Sequence, residues 1–318
     1  MSPVQSRLGP PSKNKRVINS SFFINKYFIG AMITMKIATE WKDYEIIATG
    51  DGEKLERWKN YYLLRPDPQI IWKKQNNFEN LVSLDAHYHR FNNGGGKWEI
   101  IKELPEEWIV KYKNLSFYVK PMGFKHTGLF PEQAVNWDMM IDLIKKANRP
   151  INVLNLFAYT GGASVACAST NASVVHVDCA KQMVERAKRN MELSGLKDKS
   201  VRYIVDDCKK FVEREIRRGH KYDAIIMDPP SFGRSDNSVW KLEDDLYDFV
   251  KLCNQLLSDK PLFVLINSYT TGLGETVIEN ILRLCIDKEG SFESYEVGLP
   301  TKEKINLPCG CSAIFIGK

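Results

Sequence analysis

From residue 134 onward the apolar positions switch repeatedly between helical spacing and short unbroken runs. Residues 134–147 carry Val135, Met139, Leu143 and Ile144 on one stripe, which predicts an amphipathic helix. Apolar runs then predict strands at 152–157, 173–177, 202–205, 222–227 and 261–267. Helical segments separate or follow them at 162–170, 180–194, 209–218, 242–257 and 275–287. Gly195 directly after the second of these is a helix-stop signal. Strands buried on both faces and alternating with helices predict an α/β fold on a doubly wound, mostly parallel sheet. Two further strands, at 294–299 and 313–316, have no helix between them and are expected as an antiparallel hairpin at one edge of that sheet.

Residues 36–122 follow another rhythm. Short β-rich runs such as Tyr44-Glu-Ile-Ile-Ala and Tyr61-Tyr-Leu-Leu-Arg are broken by Thr49-Gly-Asp-Gly52, Pro66-Asp-Pro68 and Asn92-Asn-Gly-Gly-Gly96. That punctuation predicts a small antiparallel β subdomain, with Pro66 and Pro68 at an edge or in a loop. Three regions are thus expected: an extension over 1–35, disordered or non-native; a substrate-binding β subdomain over 36–122; and a larger domain over 123–318. No internal repeat is visible.

Charge and composition narrow the class. The chain has 318 residues, is 43% hydrophobic and carries a formal charge of +6. Five of those charges (Arg7, Lys13, Lys15, Arg16 and Lys26) lie in the acid-free first 34 residues, so the body is nearly neutral. Such a start suits a transit segment, or an extension ahead of an internal start at Met32 or Met35. The nearly neutral body excludes a protein that coats nucleic acid by charge alone. The apolar runs are too short to span a membrane as helices. Seven scattered cysteines supply neither a disulfide scaffold nor paired CxxC motifs, and reduced thiols fit a cytoplasmic setting. His87 and His89 have metal-compatible spacing, but no third ligand is apparent and no metal is expected.

Candidate chemistry gathers at the ends of the predicted parallel strands. The first runs into Asn155-Leu-Phe-Ala-Tyr-Thr-Gly-Gly-Ala-Ser164, where Gly161 and Gly162 would admit a ligand close to the backbone. The loop lacks the third glycine of a dinucleotide fingerprint. The second strand ends at Asp178, placed either to hold a ribose or to cap a helix. The third ends in Asp206-Asp207, either of which could hold an adenine amino group, although one is expected to cap the next helix. The fourth ends in Asp228-Pro-Pro-Ser-Phe232. Diproline fixes the backbone and removes two N–H groups, so neighbouring carbonyls are expected to point unpartnered into a cleft. There Asp228 could accept from a planar N–H-bearing substrate, and Phe232 could stack on it.

These segments resemble the class I S-adenosylmethionine-dependent methyltransferases, which have a Rossmann-like catalytic domain. They are most similar to the bacterial group containing large-subunit ribosomal RNA base methyltransferases. The likeness runs from about Trp41 to Gly317 and includes Gly128-Leu-Phe-Pro-Glu-Gln133, Asn267-Ser-Tyr-Thr-Thr-Gly272 and Leu307-Pro-Cys-Gly310. It implies S-adenosylmethionine as cofactor. Asn155, Phe157, Tyr159, Thr160, Gly161, Gly162, Asp178 and Asp207 would bind it, and Phe130 and Gln133 would help close its pocket. It further implies that Asp228, Pro229, Pro230, Ser231 and Phe232 meet the target base, with RNA as partner. Relatives that methylate cytosine C5 have a cysteine at the end of the fourth or fifth strand. This chain has none in either segment, which disfavours that chemistry and favours a base nitrogen, guanine first. A protein amide or a small molecule is an alternative acceptor. RNA contacts are expected from Lys111, Lys113, Lys120 and Lys125, interleaved with Tyr112, Phe117, Tyr118 and Phe124, and from Arg214, Arg217, Arg218, His220 and Lys221.

Overall fold

The computed structural model describes residues 35–91, 94–235, 238–270 and 272–318. The expected extension lies outside them except for Met35, which belongs to the fold. Met35–Ile37 forms β1, paired in parallel with a strand near the other end of the chain.

The next strands build the small sheet: β2 (Tyr44–Gly50), β3 (Glu53–Trp58), β4 (Tyr61–Pro66), β5 (Ala86–Arg90) and β6 (Gly96–Ile100), adjacent in that order. Every pairing is antiparallel except the short parallel contact of β4 with β5. A separate hairpin, β7 (Trp108–Tyr112) and β8 (Leu115–Val119), follows.

The α/β layer then runs α1 (Ala134–Ala147), β9 (Asn152–Leu156), α2 (Gly162–Ala168), β10 (Ser173–Asp178), α3 (Lys181–Leu193), β11 (Val201–Val205), α4 (Cys208–Arg217) and β12 (Ala224–Met227). A short hairpin of β13 (Phe232–Ser235) and β14 (Ser238–Lys241) interrupts the alternation. After it come α5 (Leu242–Asn254), β15 (Phe263–Ser268), α6 (Glu275–Cys285), β16 (Gly290–Pro300) and β17 (Asn306–Gly317).

The large sheet has the order β1-β16-β17-β15-β12-β9-β10-β11. Its centre is parallel and fully buried: all residues of β12 and β15 are inaccessible, as burial on both faces requires. The expected terminal hairpin exists, but its strands are longer than the apolar runs suggested. It also does not form the edge. β17 inserts beside β15, and β1 covers β16.

On α1 the buried face is Ala134, Trp137, Met140 and Ile144; Val135, Met139 and Leu143 are only half-buried. The stripe is rotated because Trp137 fills the space beside Gly162. One continuous apolar core joins Tyr44, Trp58 and Leu63 of the small sheet to Phe117, Trp137, Val153 and Ile226.

Candidate active site

Strand register alone aligns the candidate residues. Val177 lies opposite Leu156, Leu156 opposite Met227, and Met227 opposite Ile266. The next residues outward are Asp178, Phe157, Asp228 and Asn267, which therefore form one row along the carboxyl edge. Strand order reverses at β9, with β10 and β11 on one side and β12 and β15 on the other. Open α/β sheets bind ligands at such a switch point. A cleft opens there. Asn155, Phe157, Asp228 and Asn267 line it from the strand ends, and Phe130 and Gln133 from the segment before α1. Tyr159, Thr160 and Gly162 complete the wall on the β9–α2 side.

That β9–α2 loop is held in a costly conformation. Phe157 (φ 54°), Tyr159 (φ 50°) and Gly161 (φ 85°) are all left-handed; for bulky residues this costs about 1–3 kcal/mol each. Bonds along the loop offset the strain. Phe157 N donates to Cys208 Sγ (3.3 Å), Ala158 N to Val177 O (3.0 Å) and Tyr159 N to Asp178 Oδ2 (2.8 Å). Thr160 Oγ1 donates to Gly128 O (2.6 Å), and Asn190 Nδ2 donates to Thr160 O (2.9 Å). Cβ atoms on Gly161 and Gly162 would lie 2.8 Å from Ala187 Cβ and from the Trp137 ring. Packing inside the protein therefore already requires both glycines. Gly162 lines the cleft, and Gly161 turns the chain into α2.

The acids differ in their duties. Asp178 accepts from Tyr159 N and Ala180 N, each at 2.8 Å; burial raises its pKa and these bonds oppose the rise. A carboxylate has about four acceptor positions, so two remain open to a further donor. Asp207 caps α4 by accepting from Lys210 N at 3.0 Å. Asp206 pairs with Arg214 at 2.5 Å. The enclosed cleft stops short of both Asp178 and Asp207.

Asp228 reaches the cleft, and its carboxyl is pushed up to about 7 by burial and then by the carboxylate of Glu132. Past it, the sequence expectation needs correction. Pro230 O is not left without a partner: Trp240 Nε1 donates to it at 2.7 Å. Phe232 starts β13 and is 56% exposed, away from the cleft wall. Pro229 is buried, and Ser231 Oγ lies 2.6 Å from Thr270 Oγ1, tying the loops after β12 and β15 together.

Segments 128–133 and 267–270, marked in sequence only by the family likeness, meet at the site. Glu132 is buried, and Gln133 Nε2 donates to Tyr269 Oη at 2.6 Å. Asn136, Asn267, Ser312 and Tyr295 extend this network through the core. Cys309 lines a second cavity beside Tyr269 and Glu132. Its thiol is raised well above the usual range by burial and then by nearby carboxylates.

The expected basic and aromatic patches disperse. Tyr112 and Phe117 are core residues, with Tyr112 Oη donating to Asp138 at 2.6 Å. Lys113 pairs with Asp138 and Lys120 with Glu106. In the second cluster Arg214 pairs with Asp206, and Arg218 and His220 with Glu215. Phe124 is 68% exposed, while Lys125 is half-buried with its ammonium 3.4 Å from Pro66 O. Glu99 supplies the third group that His87 and His89 lacked, with all three ligand atoms within 4.8 Å of one another. Each imidazole is already hydrogen-bonded to a carboxylate, His87 to Glu53 and His89 to Glu99.

The residue types around the cleft fit a cationic, amino-acid-bearing nucleoside. Carboxylates sit on either side of β9, two strand spacings or about 10 Å apart, with amides and aromatic rings between them. Relatives agree. The ribosomal RNA large subunit methyltransferase K/L of Shewanella frigidimarina is 32% identical over 168 residues, 52% of this chain and 23% of that protein. The same enzyme of Syntrophotalea carbinolica is 26% identical over 249 residues, 76% of this chain and 33% of that one. The chain thus spans about a third or less of the length of the curated relatives it matches. A SAM-dependent methyltransferase from Agrobacterium tumefaciens, known from its crystal structure, is 32% identical with a TM-score of 0.82, covering 87% of this chain and 91% of that one. A family model described as S-adenosylmethionine-dependent methyltransferase matches residues 81–284, more than half of the sequence, and the chain belongs to that family.

Proposed function

We propose that this S-adenosylmethionine-dependent methyltransferase acts on a base nitrogen of ribosomal RNA, guanine favoured, by in-line displacement in a cytoplasmic setting. One observation carries the reading: Asp228, a half-buried carboxyl at the switch point, lines the same cleft as the strained β9–α2 loop. The bound cofactor supplies a methyl group already activated on a sulfonium. Positioning is therefore the protein's main task, with the nucleophile about 3–3.5 Å from that carbon. Ionised Asp228 accepts an N–H of the base and holds the nitrogen in line, and for an exocyclic amine it also takes up the proton released. Asn267, level with it on the next strand, offers a second polar contact. Ribosomal RNA is supported by what the named relatives act on.

Cys309 is the one group that would favour cytosine C5 instead. Nucleophilic attack needs a thiolate, and its surroundings move the thiol the wrong way.

The division of labour is tested by two variants. Asp178→Ala is expected to weaken S-adenosylhomocysteine binding by about tenfold or more, the loss of bonds to a charged group. Asp228→Ala retains that binding and loses methyl transfer. Equal loss of binding in both contradicts the assignment. Cys309→Ser is expected to stay active, and an inactive Cys309→Ser reopens the C5 reading.

A further inference from the structure

A second cavity of about 200 Å³ adjoins the cofactor cleft, and the two share Leu129 and Phe130. Lys54 of β3 and Arg65 of β4 line it from the small sheet, with Lys125 and His126 from the segment leading to α1. Glu132, Tyr269 and Cys309 line it from the α/β layer.

Its cations are not equally paired. Arg65 is held by Glu56 at 2.5 and 2.8 Å, and Lys54 by Asp67 at 3.0 Å. The Lys125 ammonium has only Pro66 O, at 3.4 Å, as a polar partner among the described residues. Burial lowers the pKa of Lys125, and Lys54 and Arg65 add to this against Asp67. Burial and the same cations push His126 down to about 4. Among the described residues Lys125 has no salt-bridge partner, so the cavity holds an ammonium without a counter-anion in contact.

The remaining wall suits a flat heterocycle. Phe130 stands 5.4 Å from the His126 ring and 5.3 Å from the Tyr269 ring, centroid to centroid. The electrostatic neighbours of Tyr269 are Glu132 and Asp228, one at each cavity.

We propose that this cavity receives the target nucleotide, its phosphate on Lys125 beside His126 and its base against Phe130, Tyr269 and Glu132, presenting an edge toward Asp228 where the cavities meet. The assignment rests on the RNA reading above. Glu132 then reads N–H groups of the base, and Lys125 contributes one sequence-independent phosphate contact.

The test uses the full chain saturated with S-adenosylhomocysteine. Binding of protein-free ribosomal RNA is measured against salt for the parent protein, Lys125→Met and Lys125→Arg. Lys125→Met is expected to bind about tenfold more weakly and to lower the slope of log affinity against log salt by about one; Lys125→Arg restores both. In parallel, inorganic phosphate is titrated while the His126 imidazole is followed by NMR. A saturable shift, absent in Lys125→Met, supports the phosphate site. RNA binding with an unchanged salt slope in Lys125→Met and an unmoved His126 overturns the pocket while leaving the RNA reading intact. A phosphate response without RNA binding overturns the nucleotide assignment together with that reading.

Discussion

Asp228 shows how one residue can be placed against the interest of the fold. Its folded pKa of about 7, raised by burial and by Glu132, lies far above that of an unfolded aspartate, about 3.9. Between those values the unfolded chain is ionised while the folded chain resists ionisation, so Asp228 costs stability progressively as pH rises from about 4 to about 7. Asp228→Asn is therefore expected to raise the melting temperature by several degrees at about pH 8 and to change nothing below about pH 4. Thermal melts across pH check this; a destabilised variant at high pH contradicts it. For the parent enzyme, methyl transfer is expected to increase with pH through about 7 as the carboxyl ionises. The aspartate was legible in sequence because an unbroken apolar strand ends on it. Its Glu132 neighbour was not, since their approach depends on the Phe130–Gln133 segment folding over the end of β12.

Among the elements, the small sheet is pinned by a buried ionic network rather than by apolar contacts alone. Glu56 of β3 is fully buried, accepts two bonds from Arg65 of β4 and one from Tyr44 Oη of β2 at 2.6 Å. Burial opposes its ionisation, but Arg65 and Lys54 prevail and hold its pKa down to about 2. Its stabilisation is present above about pH 4 and is lost as pH falls toward 2. Glu56→Gln leaves the Arg65 guanidinium buried without its counter-charge and is expected to cost about 3–5 kcal/mol. Denaturant unfolding measures it, and a loss under about 1 kcal/mol would show the network to be dispensable. None of this could be read from spacing, because β3 has only two apolar residues, Leu55 and Trp58, and they do not alternate with polar ones. The central parallel strands were legible, since β9, β12 and β15 are apolar on both faces. The terminal hairpin was only partly so. The first residues of β17 include Pro308 and Gly310, which pair only with β16, and Cys309, which sits at a register irregularity between them, so little in their sequence marks them as strand.

At the scale of the molecule, the described residues form two sheet systems around a shared apolar core, with the first cleft at the carboxyl edge of one and the second cavity where the two meet. No helix among the described residues is long and apolar enough to cross a membrane. This arrangement explains why the expected RNA-binding lysines did not act as a patch. Lys113 and Lys120 are consumed in ion pairs with Asp138 and Glu106, while Lys125 lies at the second cavity. The methyl acceptor should therefore be a nucleotide that enters from the side of the small sheet, not a surface-laid strand. The most direct measurement is to supply isotopically labelled S-adenosylmethionine with protein-free ribosomal RNA and identify the labelled nucleoside by mass spectrometry. Label on a guanine nitrogen, absent with Asp228→Ala, is the expected result. Label confined to protein, or found on C5 of cytosine, would contradict the account.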